Sequence, residues 1–233
     1  MILLSLDTSS RDASIAVLKD EEVLLEYNFS SVGNLSIMLV PSLEFILKTL
    51  GLSVAHIDGF AVCIGPGLFT GIRVGMATVK GLAFAAGKPV VGVVSLAALA
   101  YKFADTRQNV ISLIDAQKGE VYLGGYSLAG GEVIERIPPC LLKIAAIVPL
   151  LADWPDKIFT GSGAERHKDF LKSSFSECRW PYRSNFLANE IGKIALQRFR
   201  LHETSGDAQA LLPFYLRQPD AETKLGHVAG SAD

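Results

Sequence analysis

Between residues 65 and 75 the chain reads Gly65-Pro66-Gly67-Leu68-Phe69-Thr70-Gly71-Ile72-Arg73-Val74-Gly75. An apolar, strand-length run, Asp58–Ile64, precedes this stretch. A helical pattern, Thr70–Ala86, follows it and is closed by Gly87 and Lys88-Pro89. Strand, glycine turn and helix in that order place free N–H groups and the positive end of a helix dipole beside a close-packed turn. Gly65 and Gly67 allow a tight turn and the close approach of another group to the main chain. Thr70 is placed to cap the helix. The Gly-Lys-Ser/Thr ending of a Walker A loop is missing, so the loop has the physics of phosphate binding without that motif. Arg73 falls in the first helical turn, where a cation opposes the dipole. The sequence therefore expects an anionic partner for it, either a bound phosphate or a carboxylate such as Asp7. A structural turn and an anion site fit the loop equally well.

Upstream, Ile2–Leu6, Ala13–Leu18 and Val23–Phe29 are short apolar runs separated by polar turns, which predicts an antiparallel meander. Asp7 ends the first of them and is followed by Thr8, Ser9 and Ser10. An acid at a strand end beside hydroxyls can orient a phosphate or a metal-bound water, and it is equally a turn-initiating residue. Paired with the glycine loop, it would share one end of a sheet with it. Ser36–Leu50 reads as a helix closed by Gly51, Val90–Val94 as a strand, and Ser95 as the cap of a helix to Ala104.

The order then restarts. Val110–Ile114 ends in Asp115, and Glu120–Ser127 and Glu132–Ile137 follow it. This echo predicts an α/β protein with a duplicated lobe: residues 1–104, then a smaller lobe over 105–217 whose last part returns to the first. Lys157–Thr160 reads as a strand, Gly161-Ser162-Gly163 as a loop, and Ala164–Lys172 and Phe186–Phe199 as helices. The polar stretch from Gln218 to residue 233 is expected to be a mobile tail.

Composition narrows the function classes. Hydrophobic residues are 49% of the 233-residue chain and charged residues 20%, which excludes whole-chain disorder. A net charge of −2 argues against a free-standing basic nucleic-acid binder but not against RNA contact within a complex. Cys63, Cys140 and Cys178 form neither a disulfide framework nor a zinc pattern, so a reducing cytoplasm fits best. The apolar region Gly81–Phe103 is broken by Lys88-Pro89, Gly92 and Ser95 and does not read as a membrane span. The four histidines have no i, i+4 pairing, so no metal site is expected, and a protease reading has no ligands to stand on. Two helices are over-apolar, and the mean hydropathy is +0.32. Ile37, Leu39, Leu43 and Ile46 on one, with Met76, Val79, Lys80 and Ala83 on the other, are therefore expected to face a partner.

Several blocks resemble one family. They are Leu6-Asp7-Thr8-Ser9, Ala13–Val17, the Gly65–Gly75 run, Lys80-Gly81-Leu82-Ala83, Asp115-Ala116 with Gly119-Glu120-Val121-Tyr122, and Pro213-Phe214-Tyr215-Leu216-Arg217. Together they resemble the TsaB (YeaZ) family from residue 1 to about 217. The resemblance implies an actin/Hsp70/sugar-kinase-like (ASKHA) fold of two RNase H-like lobes, the second reduced. It implies a cytoplasmic, non-catalytic subunit in the synthesis of N6-threonylcarbamoyladenosine at position 37 of tRNAs reading ANN codons. Its partners would be a TsaD-like catalytic paralogue, a TsaE-like ATPase and, in isolation, a second copy, with tRNA reached through the complex. No tightly bound cofactor is expected; ATP or ADP would bind at the complex. Leu68, Leu35-Ser36 and Gln117-Lys118 depart from residues common in the family. No catalytic residue is expected, while Asp7, Thr8, Ser9, Gly65, Gly67, Thr70, Gly71 and Arg73 remain a candidate anion or nucleotide site. The competing reading is an ATP-dependent enzyme of the same fold, an ATPase or small-molecule kinase. It would use Asp7 for metal, the Gly65–Gly75 loop for phosphate and Asp115 as a second acid.

Overall fold

A computed structural model describes residues 1–30, 35–106, 108–203 and 208–217. The first sheet is built from β1 (Ile2–Asp7), β2 (Asp12–Lys19), β3 (Glu22–Ser30), β4 (Gly59–Gly65) and β5 (Val90–Val94), in the order β3-β2-β1-β4-β5. The first three are the antiparallel meander; β4 runs parallel to β1 and β5 parallel to β4. Central strands covered on both faces read as continuous apolar runs, as β1 and β4 do. Leu4, Leu6, Phe60 and Val62 point to one face, where α1 (Leu35–Thr49) and α2 (Phe69–Ala86) pack. Leu3, Ala61 and Cys63 point to the other, against α3 (Ser95–Tyr101) and α7 (Ala188–Arg200).

The second sheet repeats this plan. A meander of β6 (Asn109–Asp115), β7 (Glu120–Ala129) and β8 (Glu132–Lys143) is followed by β9 (Lys157–Thr160) and β10 (Cys178–Arg179), in the order β10-β9-β6-β7-β8. The last two strands are again parallel to the first of the meander. The duplication expected from the sequence is thus a duplicated topology. Its helices are cut short: α4 (Ile147–Leu150), α5 (Ser162–Arg166) and α6 (Lys168–Ser174) stand where the first lobe has the much longer α1 and α2. The α7 helix returns to the first sheet, where Ser14 Oγ accepts hydrogen bonds from the N–H groups of Leu187 (3.1 Å) and Ala188 (2.9 Å). A serine from β2 therefore caps a helix that begins more than a hundred residues later.

Several local expectations need correction. The helix expected over Ala164–Lys172 is two helices broken at His167, and only Gly161 of the expected Gly161–Gly163 loop lies outside helix. Strand β8 runs on through Pro138-Pro139 to Lys143, which an edge strand tolerates because its outer N–H groups need no partner. Ser95 does not cap α3; its hydroxyl donates to the Pro66 carbonyl at 2.6 Å, tying the helix to the glycine loop. The α3 helix ends at Tyr101 instead of Ala104. The stretch from Gln218 lies outside the described residues. Among the described residues no helix is long and apolar enough to cross a membrane.

Candidate functional site

The structure brings most of the loop candidates together, and it fills the space between them with protein. The turn after β1 lies along the glycines of the loop and of α2. A Cβ on Gly67 would overlap the Ser9 carbonyl, one on Gly71 the Thr8 carbonyl, and one on Gly75 the Thr8 hydroxyl. Spacing of four residues puts these positions on one side of the chain, and the absence of side chains there lets Thr8 and Ser9 sit directly against the helix. Hydrogen bonds fix the contact: Leu68 N–H donates to the Ser9 carbonyl at 2.6 Å, and Thr8 Oγ1 donates to the Gly71 carbonyl at 2.7 Å. Gly65 has φ +108°, a conformation that favours glycine, and the Phe214 carbonyl packs where its Cβ would stand.

Thr70 is not the cap. The helix begins at Phe69, its N-cap is Leu68 with no side-chain hydrogen bond, and Thr70 is an exposed residue of the first turn. Asp7 is fully buried. Its Oδ1 accepts the Ser9 N–H at 2.9 Å, while Oδ2 has no hydrogen-bond partner. Burial pushes its carboxyl above the usual carboxylate range, against the lowering effect of the hydrogen bonds from Ser9. The buried Cys63 beside it is pushed well up by burial and by Asp7, as befits an inert core thiol.

Arg73 does not pair with Asp7. Its guanidinium lies 3.8 Å from the centre of the Phe69 ring, and Nε donates to Tyr215 Oη at 3.0 Å. The expected carboxylate partner is replaced by two aromatic rings, whose negative faces attract the cation.

A cleft of about 610 Å³ separates the lobes. Ser9, Gly67 and Phe69 reach its wall from the first lobe and Asp115, Arg166 and Arg217 from the other side, whereas Asp7 and Thr8 are not among the residues that line it. Asp115 is committed within the second lobe: Oδ2 pairs with Arg166 at 2.9 Å and Oδ1 accepts the Gln117 N–H at 3.0 Å. The two acids of the enzyme reading therefore do not converge on one open space. Among the described residues, no three His, Cys, Asp or Glu side chains are grouped to hold a metal ion.

The residues expected to face a partner divide. Leu39, Leu43, Ile46, Met76, Val79 and Ala83 are buried in the first lobe's own core, so they are structural and cannot present a surface. Lys80 is half-buried and donates to the Gln209 carbonyl. Only Ile37 is prominently exposed, at 66%. Also exposed are residues the sequence reading left out: Val40 at 59%, Phe45 at 56% and, on α2, Phe84 at 75%. The signal that could have found them was spacing: Leu39, Leu43, Ile46 and Leu47 form one complete buried stripe, and Ile37, Pro41 and Phe45 a second stripe on the other side.

Comparison with known proteins places these features. The family model for TsaD, tRNA N6-adenosine threonylcarbamoyltransferase, matches residues 33–225. The chain is 30% identical to the tRNA threonylcarbamoyladenosine biosynthesis protein TsaB of Escherichia coli, over 97% of this chain and 98% of that one. It is 25% identical to the Bacillus subtilis protein of the same name, over 96% and 97%. The solved structure of YeaZ from Pseudomonas aeruginosa is 28% identical and superposes with a TM-score of 0.74, covering 92% of this chain and 99% of that one. At the level of fold alone, the Thermus thermophilus ROK hexokinase aligns with a TM-score of 0.50 at 12% identity, over 86% and 100% of the chains. The architecture is the ASKHA fold that the family resemblance implies, and the duplicated sheets agree with it.

Proposed function

We propose that this chain, which belongs to the TsaB (YeaZ) family of tRNA threonylcarbamoyladenosine biosynthesis proteins, serves that pathway as a non-catalytic scaffold and activator. It pairs with a TsaD-like catalytic paralogue through the outer faces of α1 and α2, and a TsaE-like ATPase joins the pair. The observation that carries this reading is the exposed apolar set Ile37, Val40, Phe45 and Phe84 on two helices that touch each other. Large apolar side chains left exposed on neighbouring helices mark a surface that another protein covers. The same face serves a homodimer when the chain is alone. Supporting the non-catalytic part, Asp7 is enclosed, Asp115 is held by Arg166, and the loop glycines are packed against Thr8 and Ser9. ATP or ADP and the tRNA are then ligands of the assembly, which works in the cytoplasm.

The test is the double variant Ile37→Glu with Phe84→Glu. Light scattering of the mixture with the TsaD-like partner reads pairing, and mass spectrometry of tRNA nucleosides reads modification. Both should be lost while the far-ultraviolet spectrum of the isolated chain stays native and its homodimer falls to monomer, since the same face holds the two copies together. Undiminished pairing and modification would sink the assignment of this face. ATP turnover by the isolated chain, abolished in Asp7→Ala, would instead support the enzyme reading.

A further inference from the structure

We propose that residues 208–217 form a strap that fastens the two lobes to each other, seated on α2 by the Phe69–Arg73–Tyr215 stack and anchored on the second lobe by Arg217. The path of the segment carries the inference. After the short 3-10 turn Ala208–Ala210, Leu211 inserts into the core between the first sheet and α1 and α2. Phe214 N–H then donates to the Ile64 carbonyl at the end of β4, at 2.8 Å. The Tyr215 ring stacks on Phe69 with 4.8 Å between centres, and its hydroxyl accepts from Arg73. The next side chain, Leu216, packs into a different core, the one formed by α3 with β6 and β7. Arg217 finishes the crossing: it donates to the Ala116 carbonyl at 2.6 Å and pairs with the Glu120 carboxylate. A few residues therefore pass from the core of one lobe to the core of the other.

The lobes already meet along α3. Its Leu96 and Ala100 pack towards the second sheet, and its Ala98 and Leu99 towards the first. Beside this line of apolar contact, the Gln197 side chain of α7 donates to the Gly131 carbonyl between β7 and β8, and so narrow a junction leaves rotation along it as the easy motion between two packed bodies. The strap, an attachment that reaches both cores, opposes it. Phe69, beneath the tyrosine, and Arg217 both line the interlobe cleft, so the strap lies where rotation would open that cleft. The arrangement also explains the position of Arg73. A cation in the first turn of a helix is unfavourable by itself. Here its guanidinium lies against the Phe69 ring while Nε donates to the Tyr215 hydroxyl, so the one side chain touches both members of the aromatic stack.

Hydrogen exchange by mass spectrometry and small-angle scattering, both on the full chain, test the proposal with Arg217→Ala, Tyr215→Ala and Tyr215→Phe. With Arg217→Ala or Tyr215→Ala, exchange in the peptide containing Phe214 should rise at least about tenfold, a loosening of local closure. Exchange should also rise over residues 115–122, and the radius of gyration should increase. Tyr215→Phe, which keeps the stack and loses the hydroxyl, should give a smaller rise at Phe214. Unchanged exchange over β1 and β2 and an unchanged far-ultraviolet spectrum certify that the first lobe stays folded. The proposal is overturned if the Phe214 peptide does not respond. It is equally overturned if that peptide responds while residues 115–122 and the scattering profile stay as in the wild type, because the segment would then belong to the first lobe alone.

Discussion

Replacing Gly71 with alanine sets two effects against each other on one helix. In an open helix interior, glycine to alanine is stabilising by about 0.5–1 kcal/mol, because alanine has the higher helix propensity and the unfolded chain loses freedom. At Gly71 the new Cβ would overlap the Thr8 carbonyl, which is backbone and is held in place by the packed turn. Overpacking of this kind costs about 1–3 kcal/mol. The steric cost exceeds the propensity gain over most of that range, so Gly71→Ala should lower stability by about 1–2 kcal/mol. For a chain of this length that is a fall in melting temperature of roughly 2–8 °C. Gly81, ten residues further along the same helix, has nothing within 4 Å of where a Cβ would stand. Gly81→Ala should therefore raise stability by the propensity term alone, about 0.5–1 kcal/mol. Calorimetry and urea titration of the two variants beside the wild type give the difference directly. If the glycines served only to admit a phosphate, Gly71→Ala would be as stable as Gly81→Ala, and that result would refute the packing argument.

Asp7→Asn should raise the melting temperature at pH 7.5, with the gap to the wild type closing towards pH 4. The sign follows from the raised carboxyl: stability linked to Asp7 is complete below the ordinary carboxylate range and is lost as pH rises through the folded-state value. A gap that is constant or reversed across this range would mean that the buried carboxylate is not the source of the penalty. Leu43→Ala should cost about 2–5 kcal/mol in a urea titration, as for a buried leucine. Ile37→Ala, six residues earlier on α1, should stay within about 0.5 kcal/mol. Comparable losses for the two would overturn the assignment of inner and outer faces.

The meander and the strand–glycine–helix unit were legible because their signals are local. Short apolar runs between polar turns give β1, β2 and β3 almost to the residue, and Gly87, with φ +62°, ends α2 where the sequence says it should. The second lobe was less legible because its helices are short. Four residues of α4 and five of α5 cannot establish a helical period, so pattern reading merged or missed them. The capping expectation at Thr70 failed because α2 begins one residue earlier, at Phe69, and that at Ser95 failed because its hydroxyl is taken elsewhere. A hydroxyl near a helix start has competing partners, and the Pro66 carbonyl lies 2.6 Å from the Ser95 hydroxyl. The partner face was misread by one step of the helical wheel. The expectation took Ile37, Leu39, Leu43 and Ile46 of α1 with Met76, Val79, Lys80 and Ala83 of α2 as surface, when a helix apolar on two sides divides into a core stripe and an outer one.

The glycine loop shows why the candidate site could not be settled from its own residues. Binding a phosphate and receiving a backbone turn demand the same thing of a helix start: no Cβ at the positions of approach. The sequence Gly65–Gly75 is therefore the signature of an approach, not of what approaches. Here the occupant is Thr8-Ser9, supplied by a strand more than fifty residues away. Arg73 is ambiguous in the same way. A cation at a helix start requires some compensating partner, and Phe69 together with Tyr215, far along the chain, satisfies that requirement without an anion. Both readings turn on residues distant in sequence, and Ser9, Gly67 and Phe69 of this region still line the interlobe cleft. Once Leu39, Leu43, Ile46, Met76 and Val79 are assigned to the core, Ile37, Val40, Phe45 and Phe84 remain more than half exposed. Under the proposed function, this apolar surface of the first lobe is what a partner covers.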